Sequence, residues 1–96
     1  AHGTTIIETD PSEGYDEALR HVHTLVEADP DKYFLCDQYA NDNNWLSHYH
    51  GTAEEILSQM DGEFQYFVGG VGTGGAITGI GRRLKEVYPN IKIHGV

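Results

Sequence analysis

Cysteine and basic residues are scarce in this 96-residue sequence. The one cysteine, Cys36, excludes an internal disulfide framework and fits a reducing compartment, so we expect a cytoplasmic protein. Six lysines and arginines against fifteen aspartates and glutamates give a formal charge of −9, which argues against nucleic-acid binding through a basic face. No apolar run is long enough to span a membrane and no secretory leader is recognisable, so we expect no membrane partner.

Metal-ligand patterns are also missing, although the sequence contains six histidines. His21 and His23 are two residues apart on a predicted helix, so they point to nearly opposite sides of it. His48 and His50 could share a face of an extended segment, but no cysteine or second acidic partner is placed to complete a zinc site. We therefore expect no metal site.

Alternating apolar runs and amphipathic periods predict an α/β fold. Four runs read as strands: Thr4–Thr9, Tyr33–Gln38, Phe64–Val68 and Ile91–Val96. Three helical periods lie between them: Tyr15–Val26, Thr52–Met60 and Ile77–Val87. This order predicts a three-layer αβα architecture with a mainly parallel four-stranded sheet, in one domain over residues 1–96.

Three local features accompany this pattern. Thr52 and Glu55 have the spacing of a capping box, which predicts that a helix starts there. The stretch from Tyr39 to Gly51 is asparagine-rich and polar, so we predict no regular element in it. Cys36 is expected to be a small buried residue of the second strand.

Glycines cluster between the third predicted strand and the third predicted helix. The order strand, glycine loop, helix lets backbone N–H groups face a ligand at the positive end of a helix dipole, which suits a phosphate. The loop is not a P-loop, because no Gly-Lys-Ser/Thr follows. Gly70–Gly75 matches the dinucleotide fingerprint, but the acidic residue expected about 20 positions later is missing. The glycines could instead serve only close strand–helix packing.

Four blocks occur together in an order and at a spacing that resemble one enzyme family. They are Asp37–Asn41, Ser47–Ile56, Gly70–Gly79 and Ile93–Val96. The sequence is similar to cysteine synthases and cystathionine β-synthases, which are fold-type II pyridoxal-phosphate enzymes. The similarity covers nearly the whole chain but only about a third of such an enzyme, so we expect a fragment. Its partners would be the remainder of the catalytic chain and, in the parent enzyme, a second copy in a homodimer.

The resemblance implies pyridoxal phosphate as cofactor and an amino acid as substrate. The positions it assigns to the cofactor phosphate are Gly72, Thr73, Gly74, Gly75 and Ala76. Ala76 stands where the family usually has threonine, so it offers only its N–H. Gln38 and Tyr39 match positions beside the cofactor and the substrate. Asp37 could be a solvated carboxylate or could orient the following loop, and both readings stay open.

The resemblance also implies what this chain does not contain. Lys32, Lys85 and Lys92 match neither the family's Schiff-base lysine nor its substrate-carboxylate loop, so no catalytic residue is assigned and the chain alone should be inactive. We expect it to supply the phosphate cradle of a β-replacement enzyme of sulfur amino-acid metabolism, cysteine synthase-like rather than cystathionine β-synthase-like. A free-standing phosphate- or nucleotide-binding module and an α/β interaction module with purely structural glycines are the alternatives.

Overall fold

The chain forms two compact units, which are described separately here. The structure, a computed structural model, describes residues 2–96; one unit ends at Cys36 and the other comprises Asp37–Val96. No helix within the described range is both long and apolar enough to cross a membrane.

The first unit contains one amphipathic helix, α1 (Gly14–Ala28), as the sequence predicts. Asp10 organises the turn before it, because its Oδ1 accepts hydrogen bonds from the hydroxyl of Ser12 at 2.6 Å and from the backbone N–H of Ser12 at 2.8 Å. These two hydrogen bonds hold the pKa of the Asp10 carboxyl below its ordinary value, and the bond from the Ser12 hydroxyl has the larger effect. The helix ends where the N–H of Asp29 donates to the carbonyl of Leu25.

Two of the four predicted strands are not formed. Residues 4–9 and 33–38 have no strand partner in the described part of the chain. Their apolar side chains stay in solvent, with Ile6 71% and Phe34 86% exposed. The prediction that Cys36 is buried is also wrong, since this residue is exposed. A strand is stable only beside another strand that pairs with its N–H and C=O groups, and neither segment is paired with a strand within residues 2–96.

The second unit contains a parallel two-stranded sheet, in place of the predicted four strands. Strand β1 (Tyr66–Gly69) pairs with β2 (Lys92–Gly95) in a register that sets Tyr66 opposite Lys92. Helix α4 (Gly75–Val87) connects the two strands, as a parallel pair requires. The α/β class is therefore confirmed, and the strands and the third helix lie within a few residues of their predicted positions.

The asparagine-rich segment is helical, contrary to the prediction. Helix α2 (Asn43–Ser47) runs through a π-helical turn (His48–Thr52) into helix α3 (Ala53–Gln59). The predicted capping box is wrong as well, because Thr52 has helical backbone angles (φ −53°, ψ −41°) and lies inside this helical run. Its Oγ1 lies 3.0 Å from Nδ1 of His48 instead of capping a helix start.

Helix α4 packs against this helical run at very short range. The buried core consists of Ala53, Ile80, Leu84 and Ile91. Beside it, a Cβ on Gly79 would lie 2.8 Å from the backbone nitrogen of Tyr49 and closer still to the carbonyl oxygen of Trp45. The backbones of the two elements can therefore touch only because Gly79 has no side chain.

Polar and aromatic contacts stabilise the edge of the interface between α4 and the helical run. The hydroxyl of Tyr49 donates to the carboxylate of Glu86 at 2.8 Å, and this hydrogen bond raises the pKa of Tyr49 above its ordinary value. The guanidinium of Arg82 lies over the Trp45 ring at 4.3 Å from its centroid, a cation–π contact. Tertiary packing on α4 thus holds a polar segment helical although its composition favours loops.

We expect Gly79→Ala to destabilise the protein although alanine favours helices. Its new methyl group would overlap backbone atoms of Trp45 and Tyr49, and overpacking of this kind costs about 1–3 kcal/mol. Gly81→Ala is the matched control on the same helix, because its Cβ would meet only Ile93 at 3.4 Å. That change should be neutral or stabilising by up to about 1 kcal/mol. Urea unfolding of the full-length protein measures both, and equal stability of the two variants would contradict the close approach at Gly79.

Candidate functional site

The glycine loop forms the entry to helix α4. Gly74, the N-cap residue, has φ of +83°, a left-handed conformation that glycine adopts without steric cost. The first intrahelical bond there joins the N–H of Thr78 to the carbonyl of Gly74 at 3.0 Å. The N–H groups of the first helical turn have no partner within a helix and carry its positive dipole end. This end of α4 can therefore bind an anion.

Asn44, on α2, connects this loop to the turn that carries Gln38. Its Nδ2 donates to the backbone carbonyl of Gln38 at 2.6 Å and to the hydroxyl oxygen of Thr73 at 2.8 Å. The N–H of Gly75 also donates to that hydroxyl oxygen, at 3.3 Å. A Cβ on Gly75 would overlap the Asn44 side-chain amide, so Asn44 can occupy its place only because residue 75 is glycine.

Sequence reasoning did not single out Asn44. It lies in a stretch with three asparagines, and side chains of this type often bond to nearby backbone in turns. The asparagine run beside Gln38 was the only available signal. Nothing in the order of residues shows that one of these amides reaches a loop 29 residues further along the chain.

Asp37 orients the turn that presents Gln38 and Tyr39. Its φ of +40° is a left-handed conformation, which Asp tolerates better than most residues. Its Oδ1 accepts from the N–H groups of Tyr39 and Ala40, each at 3.3 Å, and its carbonyl accepts from the N–H of Asn41 at 2.8 Å. The loop-orienting reading of Asp37 is therefore the one that the structure supports.

A shallow cavity of about 100 Å³ lies between this turn, helix α2 and the start of α4. It brings together five of the seven residues that the sequence assigns to a site: Gln38, Tyr39, Thr73, Gly74 and Gly75. Gly72 and Ala76 do not line it; Gly72 is exposed, whereas Ala76 packs against the hydrophobic core. Tyr39 is 54% exposed at the rim.

The donors of this cavity are dipoles rather than charged groups. No lysine or arginine is among the described residues that line it, and its one carboxylate, that of Asp42, accepts a hydrogen bond from Nε1 of Trp45 at 2.9 Å. An anion in the cavity would have to be held by backbone N–H groups, amide N–H groups and the hydroxyls of Tyr39, Thr73 and Thr78.

The three lysines have other contacts. Lys85 Nζ donates to the carbonyl of Ile91 at 2.7 Å, and Lys92 Nζ lies 5.6 Å from the centre of the Tyr66 ring. In the first unit, Lys32 Nζ lies 5.0 Å from the centre of the neighbouring tyrosine ring. Over residues 2–96, no group of three His, Cys, Asp or Glu side chains is arranged to hold a metal ion.

Comparison with known proteins identifies the family. A family model described as pyridoxal-phosphate dependent enzyme matches residues 1–96. The chain belongs to this family. The confirmed resemblance accounts for the glycine loop better than a free-standing nucleotide-binding module does, because the family's cofactor carries a phosphate.

Three proteins illustrate the similarity in sequence and in structure. The chain is 48% identical to a cysteine synthase of Aquifex aeolicus and 46% identical to a cystathionine β-synthase of Mus musculus, matching all of this chain but 29% and 18% of theirs. The crystal structure of an O-acetylserine dependent cystathionine β-synthase from Helicobacter pylori superposes with a TM-score of 0.88 at 36% identity, over 97% of this chain and 30% of that one. The chain thus spans less than a third of the length of these relatives.

We expect Gly75→Ala to lower the affinity of the full-length protein for pyridoxal phosphate. The added methyl group displaces the Asn44 amide from Thr73. This loss should outweigh the higher helix propensity of alanine. Loss of a hydrogen-bonding arrangement around a charged group typically corresponds to about 1.5–3 kcal/mol, or roughly a ten- to hundredfold weaker cofactor affinity.

Gly70→Ala is the matched control in the same loop. Its Cβ would have no atom within 4 Å and its φ is not positive, so the change should leave cofactor affinity within about twofold. Titration of the cofactor-free protein with pyridoxal phosphate measures both variants. Undiminished affinity of Gly75→Ala would show that the contact between Gly75 and Asn44 has no part in holding the cofactor.

Proposed function

We propose that this chain supplies the phosphate cradle of a pyridoxal-phosphate dependent β-replacement enzyme that makes cysteine. The observation that carries the proposal is the loop Gly72–Ala76 at the start of α4, whose Thr73 hydroxyl lies in one cavity with Gln38 and Tyr39. The 48% identity to a cysteine synthase supports the choice of reaction.

The loop residues fit the phosphate of this cofactor. Gly74 takes the left-handed conformation that leads into the helix, Gly75 leaves room for the Asn44 amide, and Thr73 adds a hydroxyl at the helix start. Ala76 has no hydroxyl, and its methyl group packs against the core. This residue can therefore offer only its backbone N–H. Once bound, pyridoxal phosphate supplies the electron sink for chemistry at the α and β carbons of an amino acid.

Gln38 and Tyr39 serve the substrate side of the same cavity in this proposal. Both are exposed at the rim, so an amino acid can reach them from solvent. The side-chain amide of Gln38 can donate to a substrate carboxylate, and the phenol ring of Tyr39 can limit the width of the entrance. Asp37 fixes the turn and thereby the direction in which both side chains leave the backbone.

The remainder of the catalytic chain completes the fold in this proposal. Residues 4–9 and 33–38 expose apolar side chains that need a sheet or helix beside them, as the 86% exposure of Phe34 illustrates. We infer that they join the three-layer αβα architecture and its mainly parallel four-stranded sheet in the full enzyme. We also propose a cytoplasmic location, for which the low cysteine content is the supporting observation, and a homodimer, which rests on the family resemblance alone.

We expect the reactive lysine to lie outside residues 1–96. Lys85 and Lys92 are engaged with Ile91 and Tyr66, away from the cavity lining, and Lys32 neighbours Tyr33. Borohydride reduction of the full-length protein with bound cofactor, followed by peptide mapping, should therefore place one pyridoxyl group on a lysine beyond this segment. Stoichiometric labelling of any of the three lysines named here would contradict the proposal.

We expect the full-length enzyme to convert an activated serine and sulfide to cysteine. O-acetylserine with sulfide should be turned over faster than serine with homocysteine, because the run Ser47–Glu55 resembles the cysteine-forming members of the family. Cysteine and cystathionine can be measured in parallel by chromatography, with serine and sulfide as the matched control for the leaving group.

Cystathionine synthesis is the second candidate. The 46% identity to the mouse enzyme and the presence of Tyr39, at a position where cystathionine β-synthases tend to carry tyrosine, favour it. Faster formation of cystathionine than of cysteine would select this alternative. Absence of either product with every β-substituted serine would overturn the β-replacement assignment.

A further inference from the structure

We propose that Asn44 is a positioning residue that turns the Thr73 hydroxyl into a hydrogen-bond donor aimed at the cofactor phosphate. The proposal rests on the proposed function, because it concerns the same loop. It adds a residue that neither the glycine motif nor the resemblance assigns, and it explains how a loop with few side-chain donors favours a phosphate.

The orientation of the Asn44 amide follows from its partners. The backbone carbonyl of Gln38 can only accept a hydrogen bond, so the Asn44 atom 2.6 Å from it must be the nitrogen. An amide nitrogen carries two hydrogens, and the second one points to the hydroxyl oxygen of Thr73, 2.8 Å away. Thr73 therefore accepts from Asn44 and does not donate to it.

The same oxygen accepts a second hydrogen bond. The backbone N–H of Gly75 donates to Oγ1 of Thr73 at 3.3 Å. A hydroxyl has two acceptor lone pairs and one hydrogen, so these two bonds use both lone pairs and leave the hydrogen for a third direction. Thr73 is half-buried and lines the cavity. A hydrogen-bond acceptor in the cavity would therefore meet a Thr73 hydroxyl that no longer rotates freely.

This arrangement favours an anion over a neutral or donating group. A hydroxyl that is free to rotate can donate or accept, and loses rotational freedom when a ligand binds. Thr73 has already been fixed by Asn44 and Gly75, and hydrogen bonds from a fixed donor to a charged acceptor are the stronger class. Asn44 also holds the backbone carbonyl of Gln38, so the phosphate loop and the turn that carries Gln38 share one side chain.

The test compares two ligands that differ only in the phosphate. Cofactor-free full-length protein is titrated with pyridoxal phosphate and with pyridoxal, and the ratio of the two affinities measures recognition of the phosphate. Thr73→Val should lower this ratio by roughly ten- to hundredfold, because it removes the hydroxyl. Asn44→Ala should lower it by about tenfold, since the hydroxyl remains but can rotate, and any effect on the Gln38 turn that alters both affinities equally cancels in the ratio.

A double-mutant cycle separates positioning from general damage. If Asn44 acts through Thr73, adding Asn44→Ala to Thr73→Val should change the ratio by less than about twofold. Additive losses, or an unchanged ratio in Asn44→Ala, would overturn the proposal. Should Asn44→Ala fail to fold, Asn44→Ser provides the same comparison, because its shorter side chain cannot reach both Gln38 and Thr73; a ratio like that of the unsubstituted protein would again overturn it.

The proposed function can fail independently of this inference. If the unsubstituted protein binds pyridoxal phosphate no better than pyridoxal, the loop is not a phosphate site and both proposals fall. If it prefers pyridoxal phosphate and Thr73→Val removes that preference while Asn44→Ala does not, the phosphate site stands and only the positioning role of Asn44 is wrong.

Discussion

The close approach of helix α4 to the helical run formed by α2 and the π-helical turn is the constraint on which the second unit depends. Gly79 lets the two backbones touch, and Gly75, one turn earlier, leaves the space in which the Asn44 amide lies. If the helices were separated by the width of a side chain, Asn44 could not reach Thr73. The packing of the core and the geometry of the site are thus set by the same pair of missing side chains.

Elements with a strong periodic signal could be predicted from the sequence. Helix α4 and strands β1 and β2 lie where hydrophobic spacing indicates, and each packs against or pairs with the others within the second unit. Helix α1 also lies where its spacing indicates, although none of its residues is buried. The segment from Asn43 to Thr52 could not be predicted, since its helical state depends on contact with α4 rather than on propensity. Residues 4–9 and 33–38 have strand-like composition but no sheet to join in residues 2–96.

Only part of the candidate site could be predicted from the sequence: the glycine loop could be, whereas Asn44 could not. Local sequence is enough to locate the glycine loop, because left-handed Gly74 and the start of α4 are adjacent in the chain. Asn44 is a contact across 29 positions, and a single polar residue carries no periodic signal for such a contact. Glycines in this region also have two different roles that the sequence alone does not separate. Gly74 allows the turn before α4, whereas Gly79, inside α4, allows close helix packing.

A chain with a formal charge of −9 can still hold an anionic cofactor in the way proposed, because the two effects act over different distances. Salt screens exposed charges beyond about 8 Å at physiological ionic strength. Donors within hydrogen-bonding distance are screened far less, and the end of α4 contributes a positive partial charge there. With no lysine or arginine among the described lining residues, recognition depends on how well these dipoles are oriented. A residue such as Asn44, which fixes one of them, then matters more than it would beside a charged side chain.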